Sequence, residues 1–265
     1  MRNLHRLISG ARTETPVADI FLHDLEKIIA ESEHDSRQKK VISTHYKPSA
    51  LNCLRQMFYY KRGEEVDKTQ TRDAAMIGIL QSGTDRHARL QDAMLKMKKL
   101  TGGRWEYIDV AEYLKEKKIK DVVVKGKNGI ETKCYNSTYD LSFQCDGILK
   151  YTDAKGNVKY FILEIKTENS RKFYVRRKHE EKHENQGVCY SLLFGIDEVL
   201  FLYECRDDCN KKTYVFKVET KHKDKVVAQL ENCNTFLKQK RLPPKINNTT
   251  ICKWCDYFSR CRKDG

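Results

Sequence analysis

The chain has 265 residues, with 51 Lys and Arg against 37 Asp and Glu, a formal net charge of +14. That balance favours a polyanionic partner over a neutral or acidic one. No apolar run approaches the length of a membrane span, and the start, Met1-Arg2-Asn3-Leu4-His5-Arg6-Leu7-Ile8, lacks the long apolar core of a signal peptide, so a cytoplasmic protein with no membrane partner is expected.

Residues 1–40 are polar, with one amphipathic patch from Ile20 to Ile29, and predict an N-terminal helical extension. Pro48-Ser49 predicts a helix start with Ser49 as N-cap, running to about Arg62 before Gly63 and carrying Cys53, Arg55 and Tyr59. A longer helix is expected over about 71–100, with apolar Ile77, Leu80, Leu90, Met94 and Met97, broken by Gly102-Gly103. His87 lies on it between Arg86 and Arg89, which makes exposure its default. Strands are expected near 105–111, 120–125, 134–151 and 158–166. A helix over about 171–194 begins basic and ends apolar. Two strands, Val199–Glu204 and Thr213–Val218, precede a helix over about 223–240 that Pro243-Pro244 stop. Helices, strands, helix, strands, helix in that order predict a mixed α/β core.

Two apolar strands hold ionisable residues that are costly to bury uncompensated: Asp146 in Leu141–Leu149, and Glu164 and Lys166 in Tyr160–Lys166. Between them, Asp153-Ala154-Lys155-Gly156-Asn157 is a turn-type segment. A hairpin centred on Lys155 sets Thr152 opposite Val158, and further out Asp146 opposite Glu164, with Lys166 on the face of Glu164. Opposed like charges destabilise a sheet, so this register makes sense with a divalent cation between the carboxylates. The plain alternative is a hairpin whose polar face meets solvent.

Basic clusters occur at Lys115–Lys120, Arg171-Lys172 and Arg176-Arg177-Lys178. Each alone reads as a solvated helix face; beside a metal hairpin, phosphate contact gains weight. Gln186 and Tyr190 are four apart on one helix face, a weak signal by itself. His179 and His183 share that spacing but sit in a charged stretch that reads as solvated. Ten cysteines in an intracellular chain favour metal or cluster ligation over disulfides. Cys252, Cys255 and Cys261 supply three thiolates in ten residues. A tetrahedral zinc or an iron–sulfur cluster needs a fourth ligand from afar, for which Cys53 is the candidate.

In this order, Gly83–His87, Asp146, Glu164–Lys166, Gln186–Tyr190, and Cys53 with Cys252, Cys255 and Cys261 resemble a RecB-type nuclease of the PD-(D/E)xK superfamily. The likeness is to the small iron–sulfur exonucleases found beside CRISPR adaptation genes and in phages, and to AddB-type nuclease domains. It spans residues 50 to 262. One departure is Cys145, where the family often has a proline before the aspartate. The resemblance implies a restriction-endonuclease-like core over 41–265, a mixed central sheet flanked by helices, ending in an iron–sulfur segment over 245–265. It implies that His87, Asp146, Glu164 and the Ile165 carbonyl bind Mg²⁺ or Mn²⁺. Lys166 would act on water or on transition-state charge, and Gln186 and Tyr190 would steady Lys166 or the DNA backbone. The four cysteines would hold a 4Fe-4S cluster. The implied activity is DNA exonuclease on single strands or ends, in a bacterial, archaeal or phage-infected cell, with a helicase, recombinase or CRISPR integrase as partner. Two rivals stay open: a nuclease-fold DNA-binding or assembly partner with weak or no catalysis, and a zinc-stapled nucleic-acid binder.

Overall fold

The computed structural model describes residues 16–38, 43–67, 73–128, 130–253 and 255–264. The chain divides into two units, residues 1–41 with 67–82, and residues 42–66 with 83–265. In the first, α1 (Pro16–Gln38) is a single helix whose Ile20, Phe21, Leu25 and Ile28 are exposed. The remainder of the extension expected over 1–40 lies outside the described residues. None of the described helices is long and apolar enough to cross a membrane.

The second unit is a mixed α/β fold with helices on both faces of its larger sheet. A 3₁₀ turn (Pro48–Ala50) precedes α2 (Leu54–Lys61). Cys53, not Ser49, stands at the N-cap of α2, because Pro48 and Ser49 are taken up by the 3₁₀ turn. The long helix is α3 (Ala74–Leu95), with α4 (Met97–Leu100) as a separate last turn. Next come β1 (Trp105–Ile108) and α5 (Val110–Glu116). The strand expected to reach 111 stops because Asp109 caps α5, accepting the Ala111 N–H at 2.8 Å.

β2 (Val122–Asn128), β3 (Glu131–Asn136) and β4 (Leu141–Cys145) form a three-stranded antiparallel sheet, so the strand expected over 134–151 is divided among β3, β4 and the strand that follows Asp146. After Asp146 the chain changes sheets. β5 (Gly147–Thr152) joins β6 (Val158–Glu168) in a five-stranded sheet of order β1-β5-β6-β7-β8. Gly147 makes the switch feasible: its φ is +154°, and a Cβ there would lie 2.3 Å from the Tyr107 ring.

The helix expected over 171–194 is interrupted. α6 (Ser170–Val175) ends at Arg176, whose extended backbone leads to α7 (Glu181–Phe194). Together α6 and α7 carry the crossover to β7 (Glu198–Cys205), which runs parallel to β6. β8 (Lys211–Lys217) is antiparallel to β7, and α8 (Thr220–Lys238) follows. α9 (Thr249–Cys252) and α10 (Phe258–Lys263) are short tail helices.

Strand alternation sorts the core into two layers. Ile162, Val199, Phe201 and Tyr203 meet Val188, Tyr190 and Phe194 of α7 on one face. Leu163, Ile165 and Leu202 meet Leu90 and Met94 of α3 on the other. α3 and α7 therefore approach β6 from opposite faces. Gly187 allows the close packing of α7, since a Cβ there would sit 3.0 Å from Val199.

Candidate metal centre

The hairpin turns where its sequence predicts: Thr152 pairs with Val158, and the ladder continues to Gly147 opposite Leu163. The next positions are Asp146 and Glu164, both buried. Asp146 lies where β4 hands over to β5, so its carboxylate is free to turn toward neighbours from either sheet.

Those neighbours are polar. Asp146 Oδ2 accepts the Ile165 backbone N–H at 2.6 Å, and Oδ1 lies 3.4 Å from His87 Nδ1. The Asp146 carbonyl accepts from Gln91 Nε2 and the Tyr107 hydroxyl, each at 2.8 Å. Burial alone would raise the Asp146 pKa, but the His87 hydrogen bond and charge, Lys166 and the Ile165 N–H outweigh it and leave it lowered. The charge is therefore compensated by protein groups as well as by any cation.

His87 is not exposed; its side chain retains 25% of its accessible surface. It precedes Leu90, Gln91 and Met94 by three, four and seven residues, so it shares their buried stripe on α3. That stripe was the signal that outranks flanking arginines. Arg86 and Arg89 instead point to Glu204 of β7, at 2.8 and 2.6 Å. Burial pulls the His87 pKa down most strongly, yet Asp146 and Glu131 together push it up to about 9.

Glu131 at the start of β3 is the residue that motif reasoning missed. Its Oε1 is 3.9 Å from His87 Nδ1, and it accepts from Gln144 Nε2 at 3.3 Å. His87, Glu131 and Asp146 each offer one ligand atom within 4.8 Å of the others, a group that could hold a metal ion. One imidazole and two carboxylates suit Mn²⁺ and tolerate Mg²⁺. Glu131 belongs to no spacing motif, but Asn128-Gly129 two residues before it is a hairpin signal that would have placed it on a strand.

Glu164, which the resemblance adds to the ligands together with the Ile165 carbonyl, lies outside that group of three side chains. Glu164 Oε2 accepts from Lys166 Nζ at 2.5 Å and Oε1 from Gln186 Nε2 at 3.1 Å. The Gln186 side-chain oxygen Oε1 accepts from the same Lys166 ammonium at 3.2 Å. Gln186 Nε2 also donates to the Tyr190 hydroxyl at 3.1 Å, which donates to the Gln144 carbonyl at 2.5 Å. Burial, with Asp146 nearby, pushes Glu164 up to about 7 despite Lys166. Lys166 is depressed by burial but raised more by Glu164 and Asp146, so it stays charged.

The tail folds back on α2. The Cys53 thiol is pushed up by burial first, and the charges of Cys261 and Cys252 add to the shift. Burial likewise pushes Cys255 up to about 12, with Cys53 and Cys261 contributing. Arg55 fastens the tail by donating to the Pro243 carbonyl at 2.7 Å and the Cys261 carbonyl at 3.4 Å. Tyr59 and Tyr60 donate to Asp264 and Asp256 at 2.8 and 2.9 Å. His179 and His183 are not a ligand pair: His179 bonds Glu184 at 2.8 Å and His183 meets the Tyr203 hydroxyl at 2.9 Å.

No protein-family model matches the chain, and no curated protein matches it. It resembles the crystal structure of SSO0001 with a TM-score of 0.49 and 16% identity, over 89% of this chain and 96% of that one. It resembles LHK-Exo in complex with dAMP with a TM-score of 0.43 and 14% identity, over 83% and 94% of the two chains. A structure of LHK-Exo, an alkaline exonuclease from Laribacter hongkongensis, gives 0.34 and 14%, over 75% and 94%. Likenesses this distant leave the chemistry to the residues themselves.

Proposed function

We propose that this protein is a metal-dependent DNA exonuclease that hydrolyses phosphodiester bonds in single strands or at DNA ends. The observation that carries the reading is the convergence of His87, Glu131 and Asp146 within ligand distance of one another, beside the Glu164–Lys166 pair. Acidic and imidazole donors next to a half-buried lysine, in a chain of net charge +14, fit a phosphodiester better than a neutral substrate. RecB-type organisation of the PD-(D/E)xK kind is the corresponding family reading.

In this reading His87, Glu131 and Asp146, with Glu164 and the Ile165 carbonyl completing the set, hold Mg²⁺ or Mn²⁺. Bound there, a divalent ion would supply Lewis acidity toward the phosphate and a lowered pKa for bound water. The protein's own groups supply orientation. Asp146 is fixed by the Ile165 N–H, so its second oxygen faces His87. Lys166 keeps its proton and offers positive charge where negative charge develops on the phosphate. Gln186 holds both Lys166 and Glu164, and Tyr190 holds Gln186.

In the same reading, Cys53, Cys252, Cys255 and Cys261 would hold a 4Fe-4S cluster that pins the tail to α2, a reading carried by their number and spacing in the sequence. Its proposed role is architectural, because Cys53 and Cys261 close nearly the whole second unit. Helicase, recombinase or CRISPR integrase partners and a cytoplasmic setting belong to the same proposal.

The test is degradation of 5′- and 3′-end-labelled DNA with Mn²⁺ by wild type, Asp146→Ala and Lys166→Ala. Loss of degradation in both variants supports the assignment. Equal activity in all three proteins removes it and leaves the DNA-binding rival.

A further inference from the structure

Beyond Lys166 the same strand runs into a basic groove. Thr167 and Glu168 of β6 line a cavity of about 460 Å³, whose other walls include Lys172, Arg206 and Lys253. Thr250 of the tail helix α9 lines it too, and also lines an adjoining cavity of about 430 Å³ beneath Arg177 and Lys178. Glu168 is two residues past Lys166, about 7 Å along a strand. The groove thus begins within one nucleotide's reach of the candidate metal centre.

Its charge is lopsided. The groove's carboxylates are answered inside it: Glu168 by Arg176 at 2.6 Å, Glu180 by Lys182 at 3.1 Å, and Glu181 by Lys178 at 3.1 Å. Lys172, Arg177 and Arg206 make no ion pair among the described residues. Asp207 is close enough to feel Arg206, but its carboxylate is tied to the Ser170 N–H at 2.8 Å. Lys172 and Arg177 are exposed and Arg206 is half-buried. Each sits on a different element: Lys172 on α6, Arg177 on the α6–α7 connection and Arg206 just past β7. Lys172 and Arg206 line one cavity and Arg177 the adjoining one, with Thr250 in the wall of both, while neighbouring cations are neutralised, unlike a solvated helix face.

We infer that Lys172, Arg177 and Arg206 bind successive phosphates of the DNA strand flanking the scissile bond, so that the groove is a backbone-tracking subsite. The inference rests on the nuclease reading of the adjacent centre. The groove reads no bases; it recognises charge, and it should raise affinity for polymeric DNA without altering the reacting groups.

The experiment uses the full-length protein in EDTA with a labelled single-stranded oligodeoxynucleotide, and follows binding by anisotropy across a salt series. Two triple variants are compared with wild type: K172Q/R177Q/R206Q, and the charge-conserving K172R/R177K/R206K. The plot of log K against log salt should flatten by about 2 in the Gln variant, from roughly 0.7 for each phosphate no longer neutralised, and stay as wild type in the other. A slope unchanged in the Gln variant overturns the inference. With Mn²⁺, hydrolysis of bis(4-nitrophenyl) phosphate, which reaches only the metal centre, should be equal in wild type and the Gln variant. Loss of that activity in the Gln variant, with an unchanged melting temperature, would place these residues at the reacting centre and also overturn the subsite. A wild type that hydrolyses neither diester nor DNA sinks the nuclease reading, while the salt slope still judges the groove on its own.

Discussion

Asp146 and Ile165 are joined by a 2.6 Å hydrogen bond from the Ile165 backbone N–H to Asp146 Oδ2. The bond bridges the point where the chain leaves β4 of the smaller sheet for β5 of the larger one, and it aims the other carboxylate oxygen at His87. Position and chemistry can therefore be separated by mutation. Asp146→Asn retains an acceptor for the Ile165 N–H, whereas Asp146→Ala leaves a buried donor unpaired at a cost of about 1–3 kcal/mol. Both variants should lose Mn²⁺-dependent DNA hydrolysis, but only Ala should unfold at clearly lower denaturant. Matching denaturation midpoints for Asn and Ala would show that the Ile165 bond contributes nothing to stability.

Glu131 should matter for metal affinity more than for fold, because it is half-buried at a strand start and its carboxylate touches His87 and Gln144. Glu131→Gln is expected to raise the Mn²⁺ concentration for half-maximal activity by about tenfold or more, equivalent to about 1.4 kcal/mol. A metal titration checks this. An unchanged midpoint would leave His87, Asp146 and Glu164 to hold the ion without it.

Tyr190 holds Gln186, and Gln186 holds both Lys166 and Glu164. Tyr190→Phe should keep the ring packed against Phe143 and Phe194 but orphan the Gln144 carbonyl. The expected result is kcat lower by roughly 10–100-fold, as for other removed supporting groups, with KM for DNA little altered. A KM effect with kcat intact would point to a DNA contact instead.

Protein purified anaerobically should be coloured, with iron and sulfide present, and Cys53→Ser should bleach it and lower the melting temperature. Closing so long a loop stabilises chiefly by constraining the unfolded chain. A colourless protein carrying zinc would favour the zinc-stapled reading. A Cys53→Ser variant that keeps both cluster and melting temperature would remove Cys53 from the ligand set.

Asp140 gives the pH prediction. Burial would raise its pKa, but Lys61, His45 and Tyr135 hold it below the usual carboxylate range. A depressed folded pKa contributes stability above the unfolded value of about 3.9, and that stability is lost as pH falls through the lower folded value. Melting temperatures should drop more steeply for wild type than for Asp140→Asn as pH falls below about 4. Asparagine suits the positive φ of +53° at this position, so the variant isolates charge from backbone strain. Parallel curves for the two proteins would refute a stabilising role for the Asp140 charge.

Much of the frame follows from local chemistry. The Asp153–Asn157 turn and the flanking alternation set the β5–β6 register, which runs to Gly147 opposite Leu163 with Asp146 and Glu164 at the next positions. Pro243-Pro244 and the cysteine spacing in the tail were equally plain. The break between α6 and α7 was not, because 171–194 has no proline or glycine before Gly187 to announce it. The switch of sheets at Asp146 also escaped. It depends on Gly147 slipping beneath Tyr107, a contact between residues forty positions apart.

By itself, the sequence determined which groups are candidates for the chemistry: Asp146, Glu164 and Lys166 in apolar strands, Gln186 and Tyr190 on one helix face, and four cysteines split across the chain. Periodicity and turn residues act over a few positions, so they specify elements and register. Only the tertiary structure decided what those groups face. Packing α3 against β6 brings His87 to Asp146, the β3–β4 pairing of Thr132 with Cys145 brings Glu131 beside it, and α7 on the opposite face gives Gln186 to Glu164 and Lys166. Those meetings span long sequence separations, and burial, which no local pattern encodes, sets the charge that each group carries.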